Sequence, residues 1–316
     1  MRDSYRPAHR AKRSLPSLPR PRKPGKLLLT LAVAAVLLWS VSGPGRAFWN
    51  QMFLRSGFGG SDPDPTGLEI HVIDVGKADA ILVRCQGHAG LIDTGAGGDG
   101  EDVADYLLRH GVKELEFVLL SHNDSDHIGG LPTVLGELAV DTLYQGELSV
   151  EEPSLEGAAM DRALSGWEGE RRTLARGDSF SLGGASFSVL GPCRAYESSN
   201  DSSLVLRLEF GQVSALFCGD IEATAELDLV KSGQELQADL LKVPHHGSAT
   251  SCSQRFVKAV MPRLAAVSVG PDRNQLPRAE ALEQLEAVGA QIYRTDTDGS
   301  IVFSSQGEDF AIETER

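Results

Sequence analysis

The segment from Ser121 to Gly130, Ser-His-Asn-Asp-Ser-Asp-His-Ile-Gly-Gly, follows directly on the apolar run Phe117-Val118-Leu119-Leu120. It places four residues able to ligate metal, His122, Asp124, Asp126 and His127, within six positions. Side chains of a strand alternate between its two faces, so neighbouring ligands cannot converge while the chain stays extended. The cluster therefore belongs to the loop where a strand ends. Histidine and carboxylate at these spacings can reach two cations a few Å apart, imidazole suiting zinc and carboxylate suiting zinc or manganese. A solvated turn would explain Asn123 and Ser125 but not the flanking histidines.

Two later segments repeat the arrangement. Ala215-Leu216-Phe217-Cys218-Gly219-Asp220 reads as a buried strand ending in a carboxylate, and Leu240-Leu241-Lys242-Val243-Pro244-His245-His246-Gly247 as a strand ending in paired histidines. Strand and helix signals alternate around them, as a layered α/β domain requires. Strands are expected over 68–75, 79–85 and 89–93, followed by a helix over 101–110 that Gly111 terminates. A helix over 223–231, a strand running to Pro244, a helix over 253–260 and a strand over 264–269 follow. Pro277 opens a last helix through Val288, and Asp298-Gly299 fits a hairpin turn.

The ordered motifs resemble those of the metallo-β-lactamase fold superfamily, in particular the hydrolase domain of ComEC competence proteins and their stand-alone relatives. They are Val72 to Ala80, Leu91-Ile92-Asp93-Thr94-Gly95, Ser121 to Gly130, Asn200 to Leu206, Gly219-Asp220-Ile221-Glu222, Lys242 to Ser248, and Tyr293 to Gly299, and the resemblance covers about 67–304. It implies an αββα sandwich with two metal ions at one edge. Carried over residue by residue, it gives His122 and Asp124 to one metal, Asp126 and His127 to the second, and Asp220 as the bridge. His245 is favoured to complete the second metal's ligands, with Asp126 and His246 as candidate catalytic groups. Asp93, Asn200, Asp201 and Ser248 are expected around the ligands or the substrate, Asp93 supporting the ligand loop. The superfamily usually has histidine where Asp124 stands, and another where this chain offers Asn200 and Asp201. Oxygen in place of nitrogen makes the site harder and open to manganese as well as zinc. The usual Gly-Gln-Gly-Asp reads Gly76-Lys77-Ala78-Asp79 here, and Leu276-Pro277 stands where relatives carry a histidine-proline pair.

Charge divides the chain. Residues 1–26 hold nine Lys/Arg and one acidic residue, whereas the remainder holds 21 basic and 43 acidic residues. Between these parts, Leu27 to Val41 is interrupted only by Thr30, Trp39 and Ser40. We read 1–26 as a basic cytoplasmic head, 27–43 as a transmembrane signal anchor oriented by its positive flank, 44–66 as a Gly/Pro/Ser linker, and 67–316 as the hydrolase domain facing outward. Secretion after signal cleavage is the alternative. The four cysteines have no metal-site spacing, and an exported domain could bridge Cys193 and Cys252.

The expected function is metal-dependent hydrolysis of a phosphodiester, a nuclease being what the resemblance suggests. The acidic body argues against a broad DNA-binding face, so nucleic acid would have to meet local patches such as Arg171-Arg172 and Lys242. The alternatives are a hydrolase of small-molecule or cell-envelope esters or lactones, and a metal-binding module without turnover, to which the absence of histidine at Leu276 points.

Overall fold

The structure is a computed structural model, and it describes residues 65–146, 161–271, 273 and 275–316. The expected basic head and membrane anchor lie outside the described residues, as does nearly all of the linker. Among the described residues no helix is long and apolar enough to cross a membrane.

The described strands form two sheets. One is built from β1 (Leu68–Val72), β2 (Ile81–Cys85), β3 (His88–Ile92), β4 (Glu114–Leu120), β5 (Ala139–Gln145), β6 (Glu170–Thr173), β14 (Ile301–Ser305) and β15 (Phe310–Thr314), in the order β15-β14-β1-β2-β3-β4-β5-β6. The other holds β7 (Ser179–Leu182), β8 (Ala185–Gly191), β9 (Val205–Phe210), β10 (Val213–Phe217), β11 (Leu240–Lys242), β12 (Leu264–Val267) and β13 (Gln291–Arg294), in the order β13-β12-β11-β10-β9-β8-β7. Each sheet is antiparallel on one side and parallel on the other: β3 to β6 run parallel in the first, β10 to β13 in the second. Parallel strands need crossover connections, and helices supply several of these. Helix α1 (Gly100–Arg109) links β3 to β4, α2 (Ser125–Ile128) and α3 (Leu131–Glu137) link β4 to β5, α4 (Ala223–Lys231) links β10 to β11, α5 (Gln254–Val260) links β11 to β12, and α6 (Ala279–Ala287) links β12 to β13.

Three apolar layers hold this arrangement together. Phe117, Phe187, Leu206, Phe303 and their neighbours fill the space between the sheets. Val103, Leu107, Val118, Leu131 and Val134 join the first sheet to its helices, and Leu216, Leu241, Phe256, Val257 and Leu285 do the same for the second. The central parallel strands are covered on both faces, so β4 ends in the unbroken run Phe117 to Leu120 instead of alternating with polar residues. Helix α1 buries Val103, Leu107 and Leu108, carries Glu101 and Asp102 in its first turn and ends before Gly111 at φ +78°, a left-handed conformation that glycine adopts without strain.

Two expectations fail here. Asp298-Gly299 does not close a hairpin, because β13 and β14 belong to different sheets. A helical turn, α7 (Thr295–Asp298), makes the crossing instead, held by Asp298 Oδ2 accepting from Arg294 N at 2.7 Å and by Thr295 Oγ1 accepting from Val269 N at 2.8 Å. Cys193 and Cys252 are not bridged: all four cysteines are free, and Cys252 is buried.

On the helix-facing side of β1, His71 is buried between Tyr106 and Glu69, at 3.0 Å and 3.2 Å, and Arg84 on β2 also pairs with Glu69. Burial holds His71 below the ordinary histidine range, against the Glu69 hydrogen bond that favours its charged form. A histidine depressed in this way adds stability above its unfolded value and loses it as pH falls toward the folded one. His71→Gln is therefore expected to shrink the drop in melting temperature between about pH 7.5 and about pH 5.5. A pH dependence identical to wild type would refute this.

Candidate metal centre

The candidate ligands lie where the parallel strands end, one set from each sheet, the position at which open α/β sheets present their sites. After β3 the chain turns at Asp93, whose φ is +58°. Asp93 Oδ1 accepts from Ser121 N at 2.8 Å, and its Oδ2 accepts from Ser121 Oγ at 2.7 Å and from His127 Nδ1 at 2.9 Å. This one carboxylate ties the end of β3 to the loop after β4. Helix α2 and the glycines behind it bring His127 back over that loop. A Cβ on Gly130 would lie 2.0 Å from the Thr94 carbonyl oxygen, and one on Gly129 would lie 2.3 Å from Gly97 N. Side chains at either place would push the ligand loop off the β3 turn.

The histidine tautomers follow from their partners. A carbonyl or carboxylate only accepts, so His246 Nδ1, 2.9 Å from the Ser268 carbonyl, must donate, as must His127 Nδ1 to Asp93. Ser121 Oγ gives its proton to Asp93 and can therefore accept from His122 Nδ1 at 3.1 Å. In their neutral form all three rings are thus anchored through Nδ1 and present a bare Nε2 to the centre, the arrangement that orients metal-binding imidazoles. His122 Nε2, His127 Nε2, His246 Nε2 and Asp220 Oδ1 are all buried without a hydrogen-bond partner. Buried polar atoms are rarely left unpaired, and here they converge. His122, His127 and Asp220 form one group of ligand atoms within 4.8 Å of one another, and Asp126, His127 and His246 form a second. Three lone pairs and a carboxylate facing inward fit divalent cations.

Asp220 stands at the middle, with Oδ1 3.3 Å from His127 Nε2 and Oδ2 3.7 Å from His246 Nε2 and 3.8 Å from His245 Nε2. Burial raises its pKa, but His127 and His246 outweigh that and hold it well below the usual carboxylate range. Burial opposes charge on His127 as well, and Asp220 and Asp93 overcome it, raising that imidazole well above its ordinary value. The pocket thus favours positive charge at its centre. Asp126 Oδ2 is 3.4 Å from His246 Nε2 and 2.6 Å from Lys77 Nζ.

The sequence candidates are not all brought equally close. Asp124 sits at the rim, its Oδ2 3.7 Å from His122 Nε2. His245 and His246 occupy a tight turn with both backbones left-handed, at φ +48° and +52°, a conformation rare for non-glycine residues and frequent at functional sites. That turn splits the pair: His246 is fully buried among the ligands, whereas His245 is partly exposed with Nδ1 3.2 Å from Glu222 Oε1. Asp201 accepts from Glu222 N and Ala225 N, at 2.9 Å and 3.4 Å, and so caps α4. The carbonyl of Asn200 accepts from Ser203 N, and Ser203 Oγ in turn accepts from Asp220 N. Ser248 bonds Thr250, which donates to Glu222. These residues position the Asp220 and His245 turns from behind.

Lys242 does not offer a nucleic-acid patch. It is 2% exposed and pairs at 2.9 Å with Asp79, 1% exposed, because β11 is covered on both faces. Asp79 in turn lies 3.7 Å from His246 Nδ1. Sequence reasoning gave neither residue a role at the centre. Their places in the Gly76 to Asp79 and Lys242 to Ser248 motifs were the available signal.

Two mixed sheets flanked by helices, with a histidine and aspartate centre at the ends of their parallel strands, define a metallo-hydrolase fold of the αββα type. The chain belongs to the metallo-beta-lactamase superfamily, whose family model matches residues 73–270. It is 31% identical over 255 residues to ComE operon protein 3 of Bacillus subtilis (strain 168), covering 74% of this chain and 33% of that protein. It is 32% identical over 284 residues to competence protein ComA of Neisseria gonorrhoeae, covering 87% of this chain and 38% of that protein. The chain thus spans 33% and 38% of the length of these two curated relatives. Among solved structures, CmlA, a diiron beta-hydroxylase from Streptomyces venezuelae, superposes with a TM-score of 0.51 at 15% identity, over 77% of this chain and 55% of that one, a likeness of fold alone.

Proposed function

We propose that the domain is a binuclear metal-dependent phosphodiesterase. The observation that carries this reading is the convergence of four buried, unpartnered atoms, His122 Nε2, His127 Nε2, His246 Nε2 and Asp220 Oδ1. In this reading His122 and Asp124 would hold one cation, Asp126, His127 and His246 the other, and Asp220 would serve both. The roles expected for the histidine pair are exchanged: His246 is the ligand, because its anchored Nδ1 leaves a buried lone pair on the centre, and His245 is the substrate-side group. Held by these residues, divalent ions would supply an acidified water near neutral pH and positive charge for an anionic substrate oxygen. His245, held through Nδ1 by Glu222 and with Nε2 3.8 Å from Asp220 Oδ2, would as the imidazolium give its Nε2 proton to a departing alkoxide and keep its Nδ1 proton on Glu222. With Lys242 buried and Arg172 paired to Glu170 at 2.7 Å, the acidic body favours a small diester or a locally held strand over an extended duplex.

The test compares the two histidines. His246→Ala is expected to lose bound metal together with hydrolysis of a chromogenic phosphodiester. His245→Ala is expected to keep its metal content and lose about 10²–10⁴-fold in turnover. Metal loss in His245→Ala with full metal in His246→Ala would restore His245 as the ligand. Diesterase activity unchanged in both variants would place the chemistry elsewhere.

A further inference from the structure

Behind the candidate ligands lies a buried ion pair that stability alone does not explain. Asp79 Oδ2 takes the Lys242 ammonium at 2.9 Å, and that ammonium also donates to the Val243 carbonyl at 3.0 Å. Apolar residues of equal volume are often as stabilising as a buried ion pair, or more so. Asp79 Oδ1, moreover, is buried without a hydrogen-bond partner, a costly state for a carboxylate oxygen. Its backbone is nonetheless tied to both ligand loops: Asp79 N donates to the Asp126 carbonyl at 3.1 Å, and the Asp79 carbonyl accepts from Gly95 N at 2.8 Å.

What this position provides is electrostatic. Asp79 Oδ1 lies 3.7 Å from His246 Nδ1, and Oδ2 lies 4.0 Å from His127 Nδ1. The carboxylate therefore stands behind two imidazoles whose Nε2 atoms face the centre, and a carboxylate in that place raises the basicity of a ligand ring. All four residues are buried, which leaves little screening between their charges. Asp79, Asp93 and His127 also offer a third set of ligand atoms within 4.8 Å of one another. That set is already occupied by the protein's own groups, Asp93 by Ser121 and His127 and Asp79 by the Lys242 ammonium. We propose that the Asp79–Lys242 pair sets how strongly the His127 and His246 side of the centre holds a divalent cation. Asp79 draws the cation through the two rings and Lys242 limits that draw, so removing one charge shifts affinity one way and removing the other shifts it back. The inference rests on the metal-dependent reading above and gives that site its affinity-setting residues. Both act through the histidines and are positioning residues.

The experiment is a Mn²⁺ titration of the chain of residues 1–316, followed by electron paramagnetic resonance of the free ion, with thermal unfolding of the same samples. Asp79→Asn is expected to weaken Mn²⁺ binding by about 10–100-fold, and Lys242→Met to tighten it by about tenfold. The double variant, which strands neither charge, should return to within about threefold of wild type. Both single variants are expected to melt below wild type, so a pair that serves structure alone would lower affinity in both. That outcome would overturn the proposal. Equal affinity in all four proteins would overturn it as well while leaving the metal site intact. Should Lys242→Met fail to fold, weak binding in Asp79→Asn that recovers in the double variant supports the proposal, and weak binding that does not recover overturns it. No bound Mn²⁺ in any of the four proteins would instead overturn the metal reading and the tuning with it.

Discussion

Asp220→Ala is expected to fall from about two bound metal ions per chain to fewer than one, and to lose phosphodiester hydrolysis by more than about 100-fold. Among the described residues Asp220 is the one carboxylate within 4 Å of His127, His245 and His246 together, and its two oxygens point to different members of that set. Removing it takes away the shared anion that screens two neighbouring cations, and it leaves the bare Nε2 of His122 and His127 without a carboxylate between them. The fold should survive, because the Asp220 backbone is held by Ser203 Oγ independently of the side chain. Elemental analysis of the purified variant measures the effect, with circular dichroism as the check on folding. Wild-type metal content in a folded Asp220→Ala protein would remove this residue from the centre.

The second large effect belongs to Lys242. Burial raises the Asp79 carboxyl, but Lys242 first, then His246 and His127, hold it charged and below its usual range. Lys242→Met leaves that carboxylate buried without its ammonium. Breaking a buried pair from one side costs about 3–5 kcal/mol, and in a domain of this size each kcal/mol moves the melting temperature by roughly 2–4 °C. A fall of about 10 °C is therefore expected in thermal unfolding. Asp79→Asn combined with Lys242→Met removes the stranded charge and should recover most of the loss, because the interaction energy of a coupled pair shows up as non-additivity. If the double variant is as unstable as the sum of the singles, the pair is not coupled as described.

The candidate centre was legible in the sequence where its histidines and carboxylates follow apolar runs. Phe117 to Leu120 before His122 and Ala215 to Cys218 before Asp220 mark buried strands, and a histidine or carboxylate just past the end of such a strand is held close to the sheet edge where its counterparts gather. What stayed illegible depends on three-dimensional facts that no local pattern encodes. Which histidine of the pair is buried against Asp126 and Asp220 is decided by two consecutive left-handed backbones at His245 and His246. Lys242 reads as a surface charge until β11 is known to be sandwiched, with Asp79, distant in sequence, waiting beneath it. The region from β5 to β8 went unread; within it β6 and β7 are four residues each, and β6 is exposed along its whole length, so neither burial nor alternation marks β6. The hairpin expected at Asp298-Gly299 failed for a related reason: the turn residues are correct for a reversal, but the strands they join go to different sheets.

The most direct measurement is hydrolysis of a chromogenic phosphodiester by the chain of residues 1–316, stripped with chelator and then titrated with Zn²⁺ or Mn²⁺. The account predicts no turnover in the stripped protein and recovery that reaches its full value as the second equivalent of metal binds. Activity that persists after complete metal removal, or a protein that takes up two ions and hydrolyses no diester, would contradict it.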